Sequence, residues 1–141
     1  MLFSCDDRVW GSEPISRTLP SLLEPMGVCC RMARTARESA ALVEHERIHI
    51  AVVDLAIPMD EQDEHTAGHR VLQLLRRLQF PPITVVVRPR QANEAAAVRG
   101  LHEAMREGAF AVHDRPLGLE PLLQTLQRAV QRHFAGHWPA A

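Results

Sequence analysis

The run Ile48-His49-Ile50-Ala51-Val52-Val53 is the most apolar strand candidate in the chain, and it stops at Asp54. Taken as the third strand, Ile48 to Val53 is apolar on both faces, the pattern of a central parallel strand covered on both sides. A short apolar strand that ends in a carboxylate must find that charge a partner, because an unpaired buried charge is costly. The first strand candidate, Met1-Leu2-Phe3-Ser4-Cys5, ends the same way, in Asp6-Asp7. Two such strands suggest that their ends meet and share something cationic. That places a metal or phosphoryl site at one end of a parallel sheet.

The rest of the chain alternates strand and helix patterns. Ser12-Glu13-Pro14 reads as a helix start, and Ile15, Leu19, Leu22, Leu23 and Met26 follow helical spacing, with Pro20 expected to kink or loosen the helix. Gly27 ends it, and Val28 to Met32 forms a second strand. Thr35-Ala36-Arg37-Glu38 is a capping box that opens a helix running to about Arg47. After the central strand comes a polar stretch, Met59 to His65, too hydrophilic to be core. A helix with Val71, Leu74, Leu75 and Leu78 on one face follows, then Pro81-Pro82 and a strand Ile83 to Val87. Asn93 caps a further helix expected to turn Val98, Leu101 and Met105 inward and to end at Gly108. Phe110 to His113 reads as the last strand, and Leu119, Leu122, Leu123, Leu126 and Val130 mark a final amphipathic helix. Strict alternation of this kind predicts one parallel sheet covered on both faces.

Composition narrows the function classes. A chain of 141 residues with 46% hydrophobic content builds one core, placed at residues 1–134 with a tail at 135–141. Net charge is -1, so there is no electrostatic grip on nucleic acid or an anionic membrane, and no apolar run approaches spanning length. Three cysteines, Cys5, Cys29 and Cys30, read as buried thiols of a reducing cytoplasm. The expectation is a stand-alone cytoplasmic domain. All 16 basic residues are arginine, so the absence of a lysine at any one position carries little weight.

In an open doubly wound sheet, ligands bind beyond the carboxyl ends of the strands at the switch point between neighbours. If strands one and three are adjacent there, Asp6, Asp7 and Asp54 converge, and a hard divalent cation such as Mg2+ would relieve their repulsion. The plainer reading is that Asp6 and Asp7 cap the following turn or helix while Asp54 merely ends a strand.

The pattern resembles the receiver domains of two-component response regulators over nearly the whole chain, as a divergent or pseudo-receiver member. Asp6-Asp7 stands at the acidic pair after strand one, Asp54 at the phosphoacceptor, Pro58 at the proline beyond it, Gly108-Ala109 before the last strand and Arg115-Pro116 at the Lys-Pro position. The resemblance implies a flavodoxin-like doubly wound five-stranded parallel sheet of strand order 2-1-3-4-5. It implies Mg2+ held by Asp6, Asp7, Asp54 and the backbone carbonyl of Ala56, and phosphoryl transfer to Asp54 from a histidine kinase or phosphotransfer protein. It also implies a separate output protein as partner. An ionised carboxylate attacking phosphorus needs the incoming oxygens neutralised, by metal and by a fixed cation.

The departures fall on the switch. Val87 stands where the family has a hydroxyl, and Val112 where it has an aromatic that rotates. Arg115 replaces the lysine, keeping charge but changing geometry. Arg88 replaces a small residue and is large enough to lean over the site, and the loop after Pro58 is longer than usual and acidic. Arg88 or Arg115 is expected within salt-bridge reach of Asp54. The rival reading is a pseudo-receiver, an interaction module never phosphorylated, with one of these arginines paired to Asp54. A phosphatase using Asp54 as nucleophile lacks its general acid, since Ala56 holds that position, so no enzyme is expected.

His65 and His69 stand four apart and could share a helix face as metal ligands, though two solvated side chains explain them as well. Cys29 and Cys30, adjacent in a strand, would face opposite sides and suit packing. Trp138 in the tail could anchor a partner or a homodimer.

Overall fold

The structure, a computed structural model, describes residues 1–5 and 15–134. The expected helix start at Ser12-Glu13-Pro14, the acidic pair Asp6-Asp7 and Trp138 lie outside the described residues. In chain order the elements are β1 (Leu2–Ser4), α1 (Ile15–Leu23) with a 3-10 turn (Glu24–Met26), β2 (Arg31–Ala33), α2 (Ala36–His45) and β3 (Ile50–Asp54). There follow β4 (Pro58–Asp60), β5 (Asp63–Thr66), α3 (Gly68–Arg76), β6 (Ile83–Arg88), α4 (Glu94–Arg106), β7 (Ala109–Asp114) and α5 (Leu119–His133). The main sheet has five parallel strands in the order β2-β1-β3-β6-β7. Counting only these strands, that is the expected order 2-1-3-4-5, with β1 and β3 adjacent.

Alternation along the strands divides the core. Phe3, Val52, Val85 and Val87 face one side, where they pack with Leu19, Leu117, Leu122 and Leu126 of α1, α5 and the loop before α5. Leu2, Ala51, Val53 and Val86 face the other, against Val43, Ile57, Val71 and Leu75 of α2, α3 and the loop after β3. Burying each Val, Leu or Phe contributes about 1.5–3 kcal/mol relative to exposure. The helices start on side-chain caps. Thr35 Oγ1 accepts from Glu38 N at 3.1 Å, while Glu38 Oε2 accepts from Arg34 N at 2.8 Å, one residue beyond the cap. Asn93 Oδ1 accepts from Ala96 N at 2.8 Å. Gly108, with φ of 92°, takes the left-handed conformation that ends α4.

Several expectations need correction. The second strand begins at Arg31, not Val28, so Cys29 and Cys30 precede it; Cys29 is exposed, and only Cys5 is a buried thiol. Backbone pairing sets this start, since Arg31 N donates to Met1 O at 2.9 Å. Helix α2 stops at His45, and α1 continues through Pro20. The polar stretch after Pro58 is an antiparallel hairpin, β4-β5, outside the main sheet. Its order comes from the backbone pairing of the two strands, extended where Ala67 N donates to Ile57 O at 2.7 Å, and from the Asp60 side chain, whose Oδ1 accepts from Gln62 N at 2.9 Å in the turn. His65 therefore lies on β5 and His69 on α3, so they share no helix face. His69 Nδ1 instead lies 3.3 Å from Glu107 Oε2.

The largest correction concerns α4. Val98, Leu101 and Met105, expected inward, are 48%, 40% and 50% exposed, and Ala104 is the buried residue of the helix. The cause is Arg88, whose side chain fills the space between β6 and α4 and donates from Nη1 to Ala97 O at 2.9 Å. Only a face of small residues fits there: a Cβ on Gly100 would stand 2.8 Å from Arg88 Nη1. The helix presents Ala97, Gly100 and Ala104 to the fold and turns its larger apolar side chains outward.

Candidate functional site

The site lies at the carboxyl ends of β3, β6 and β7. Asp54 closes β3 opposite Val87 of β6, and the chain then turns sharply, with Leu55 N donating to Val87 O at 2.9 Å and Ile57 N to Asp54 O at 3.1 Å. Gly68, the first residue of α3, lets the helix abut this turn: a Cβ there would come within 2.6 Å of the Leu55 carbonyl oxygen. The turn is thus held from both sides, and Asp54 with it.

The Asp54 side chain is 0% exposed, and among the described residues its side-chain partners are Ala56 and Arg115. Oδ1 accepts from Ala56 N at 3.0 Å, and Arg115 Nη2 lies 2.5 Å from both Oδ1 and Oδ2. One guanidinium nitrogen is shared by two carboxylate oxygens, rather than two nitrogens meeting them as a parallel fork. Arg115 Nε is buried and has no hydrogen-bond partner among the described residues. Arg115 reaches the site from the residue after β7. Its backbone N donates to Arg88 O at 2.9 Å, which extends the β6-β7 pairing one step further. The Arg115 side chain is 19% exposed, so it can meet solvent if released, whereas Asp54 cannot without movement.

The other expected positions separate. Val87 is wholly buried in the α1-α5 side of the core and offers no hydroxyl. Val112 is half-buried against the opposite cluster and offers no ring. Arg88 points away from Asp54: its Nε donates to Asp114 Oδ1 at 2.6 Å and its Nη1 to Ala97 O, and the residue is 8% exposed. Asp114, Ala97, Gly68 and Gly100 were not singled out from sequence. Gly100 carried a signal, since a glycine inside a capped helix is unfavourable by about 1 kcal/mol and so calls for a packing reason. On the α5 side of β7, His113 Nε2 lies 2.8 Å from Oγ1 of the buried Thr125. Burial, with the nearby Arg128 charge, lowers the His113 pKa against the opposing pull of Asp114.

Of the four expected cation ligands, the described residues supply Asp54 and the Ala56 carbonyl; Asp6 and Asp7 lie outside them. Among the described residues no group of three or more His, Cys, Asp or Glu side chains could hold a metal, and the Asp54 oxygens face Arg115. This part of the site does not make a cation site by itself. Among the described residues no helix is long and apolar enough to cross a membrane.

No protein-family model matches the sequence, and no curated protein matches it either. Solved structures do. The chain is similar to a CheY-like response regulator receiver domain protein from Methanospirillum hungatei JF-1, with 22% identity, coverage of 95% of this chain and 94% of that one, and a TM-score of 0.69. It is similar at 26% identity to a response regulator protein from Burkholderia pseudomallei with a phosphorylated aspartic acid, a calcium ion and citrate, covering 95% and 69% with a TM-score of 0.60. A beryllofluoride-activated NtrC4 receiver domain dimer matches at 21% identity, 93% and 96% coverage and a TM-score of 0.66. The fold of this chain is that of the response regulator receiver domains.

Proposed function

We propose that this chain is a receiver-type signalling module that acts through protein contacts, and that its control point is the Asp54–Arg115 pair. One observation carries the reading: among the described residues, the fully buried carboxylate at the end of β3 is held by one cationic side chain, Arg115, from the end of β7. Any chemistry at Asp54 must therefore move Arg115 or enlist it.

In the leading form of this reading, Asp54 accepts a phosphoryl group from a histidine kinase or phosphotransfer protein. Its carboxylate oxygen bonds to phosphorus as the bond to the donor nitrogen breaks. Mg2+ held by Asp6, Asp7, Asp54 and the Ala56 carbonyl would neutralise the incoming oxygens, as the resemblance implies. Arg115 is the fixed cation of the described site, and a phosphoryl group would present roughly two negative charges to it. The free Arg115 Nε would then give a second donor for a bidentate contact. Output passes to a separate protein, and the module is not itself an enzyme.

A second reading is favoured by the same closed pair together with Val87 and Val112, which leave the usual readers of a phosphoryl group absent. In it the pair is permanent and the chain is a pseudo-receiver, a constitutive interaction module. Incubation with acetyl phosphate and Mg2+, followed by intact mass measurement, separates the two. The leading reading expects one labile phosphoryl adduct on the wild type and none on Asp54→Asn. Failure of the folded wild type to take up phosphate establishes the pseudo-receiver.

A further inference from the structure

Arg88 has no counterpart in the chemistry at Asp54, yet among the described residues it and Asp54 are the buried charged ones. Its contacts reach both the end of β7 and α4. Its main-chain carbonyl, at the end of β6, accepts from Arg115 N at 2.9 Å. Its side chain donates from Nε to Asp114 Oδ1 at 2.6 Å at the end of β7, and from Nη1 to Ala97 O at 2.9 Å in the first turns of α4. Gly100 leaves the room that the guanidinium fills.

The consequence follows from the order of these contacts. Asp54 is tied to the Arg115 side chain, the Arg115 backbone to Arg88, and the Arg88 side chain to α4. Asp114, the residue immediately before Arg115, carries the other end of the Arg88 guanidinium. A displacement of Arg115 that pulls on its own backbone therefore acts on both anchors of Arg88 together. A planar guanidinium with charge-assisted hydrogen bonds in two directions is stiff in a way that a flexible ammonium is not.

We infer that Arg88 is the positioning residue that ties α4 to the Asp54–Arg115 pair, taking the place of a hydroxyl and aromatic relay with a rigid strut. The inference rests on the proposed function in taking that pair as the control point, but it does not require that Asp54 be phosphorylated. What the strut sets is the seating of α4, and with it the presentation of the outward residues Val98, Leu101 and Met105. Such coupling needs an element with two arrangements that both ends bias. Here that element is α4, seated on the Arg88 guanidinium or released from it.

The test perturbs the pair without any phosphodonor. Asp54→Asn removes the charge that holds Arg115, and amide hydrogen exchange and backbone NMR shifts are read over residues 94–106. With Arg88 present, Asp54→Asn shifts the amides around Ala97 and Gly100. In an Arg88→Met background that response disappears, and α4 exchanges faster by about tenfold or more, the ratio matching loss of a hydrogen bond to a charged group. Arg88→Lys, which keeps the charge but not the fork, falls on the side of Met. Asp114→Asn retains an acceptor and guards against Arg88→Met simply failing to fold; it weakens the α4 response partially. An α4 response to Asp54→Asn that is equal with and without Arg88, or absent in both, overturns the strut. Failure of acetyl phosphate labelling would refute the phosphorylation reading alone and leaves this outcome unaffected.

Discussion

Removing Arg115 should be more damaging than removing its partner. In Arg115→Met the Asp54 carboxylate keeps, among the described residues, only the Ala56 N–H, at 3.0 Å, inside a site where the side chain is 0% exposed. Stranding one buried charge costs about 3–5 kcal/mol. In Asp54→Asn the remaining charge is Arg115, 19% exposed and able to reach water, and the amide oxygen can still accept from Ala56 N. That loss should be about 1–2 kcal/mol, the scale of hydrogen bonds given up by a charged group that is resolvated. In the double variant no charge is stranded, so the second change adds little. The cycle should therefore show about 3 kcal/mol of coupling, at the upper end for contacting pairs. Urea unfolding at pH 7 without divalent cations measures this, read as midpoint shifts at constant slope. Because a total stability of about 5–15 kcal/mol leaves Arg115→Met near the margin, Arg115→Lys provides a milder arm that keeps a cation at the site. Equal losses for the two single variants, or additive losses in the double, would show that the pair does not hold the site.

Other expectations follow from the same contacts. Gly68→Ala should destabilise by about 1–3 kcal/mol in the same assay, because its Cβ would meet the rigid Leu55 backbone rather than a movable side chain. Gly100→Ala would stabilise an ordinary helix by about 1 kcal/mol. Here it should be neutral or destabilising because of Arg88 Nη1, and the gain should return in an Arg88→Met background. Thr35→Ala should cost about 1 kcal/mol through loss of the α2 cap. The lowered His113 pKa makes an acid-side prediction. The unfolded chain binds the proton more readily, so this contribution is complete above the unfolded value of about 6.5 and is lost as pH falls through the folded one. Unfolding midpoints compared between pH 5.5 and 7.5 should show a smaller loss in His113→Gln, which has no proton to gain.

The sheet was legible because its signals are local. An apolar run such as Ile50–Val53, bounded by polar residues, fixes a buried strand, and strict alternation with capped helices fixes the topology. The turn at Asp54 and the charge at Arg115 could also be read, since both sit at strand ends where few directions are open. What remained hidden depends on tertiary contacts. The orientation of α4 could not be found from Val98, Leu101 and Met105, whose spacing marks an apolar stripe without saying which way it faces. A long charged side chain from β6 reserved the inner face for Ala97, Gly100 and Ala104. The β4-β5 hairpin was hidden for the converse reason, since its order lies in backbone bonds while its side chains read as a loop. Likewise Arg88 was close to Asp54 in sequence pattern, but Asp114 offered a partner in the adjacent strand register.

The account stands on Arg115 as the side chain that holds Asp54 and responds to what happens there. Its guanidinium and backbone resonances, followed by NMR as beryllofluoride and Mg2+ are added, test this most directly. Arg115 is expected to shift furthest, with smaller shifts of Arg88 and the amide of Ala97 over the same range of ligand concentration. Arg115 resonances that stay fixed in a folded protein, while ligand-dependent changes arise elsewhere, would contradict it.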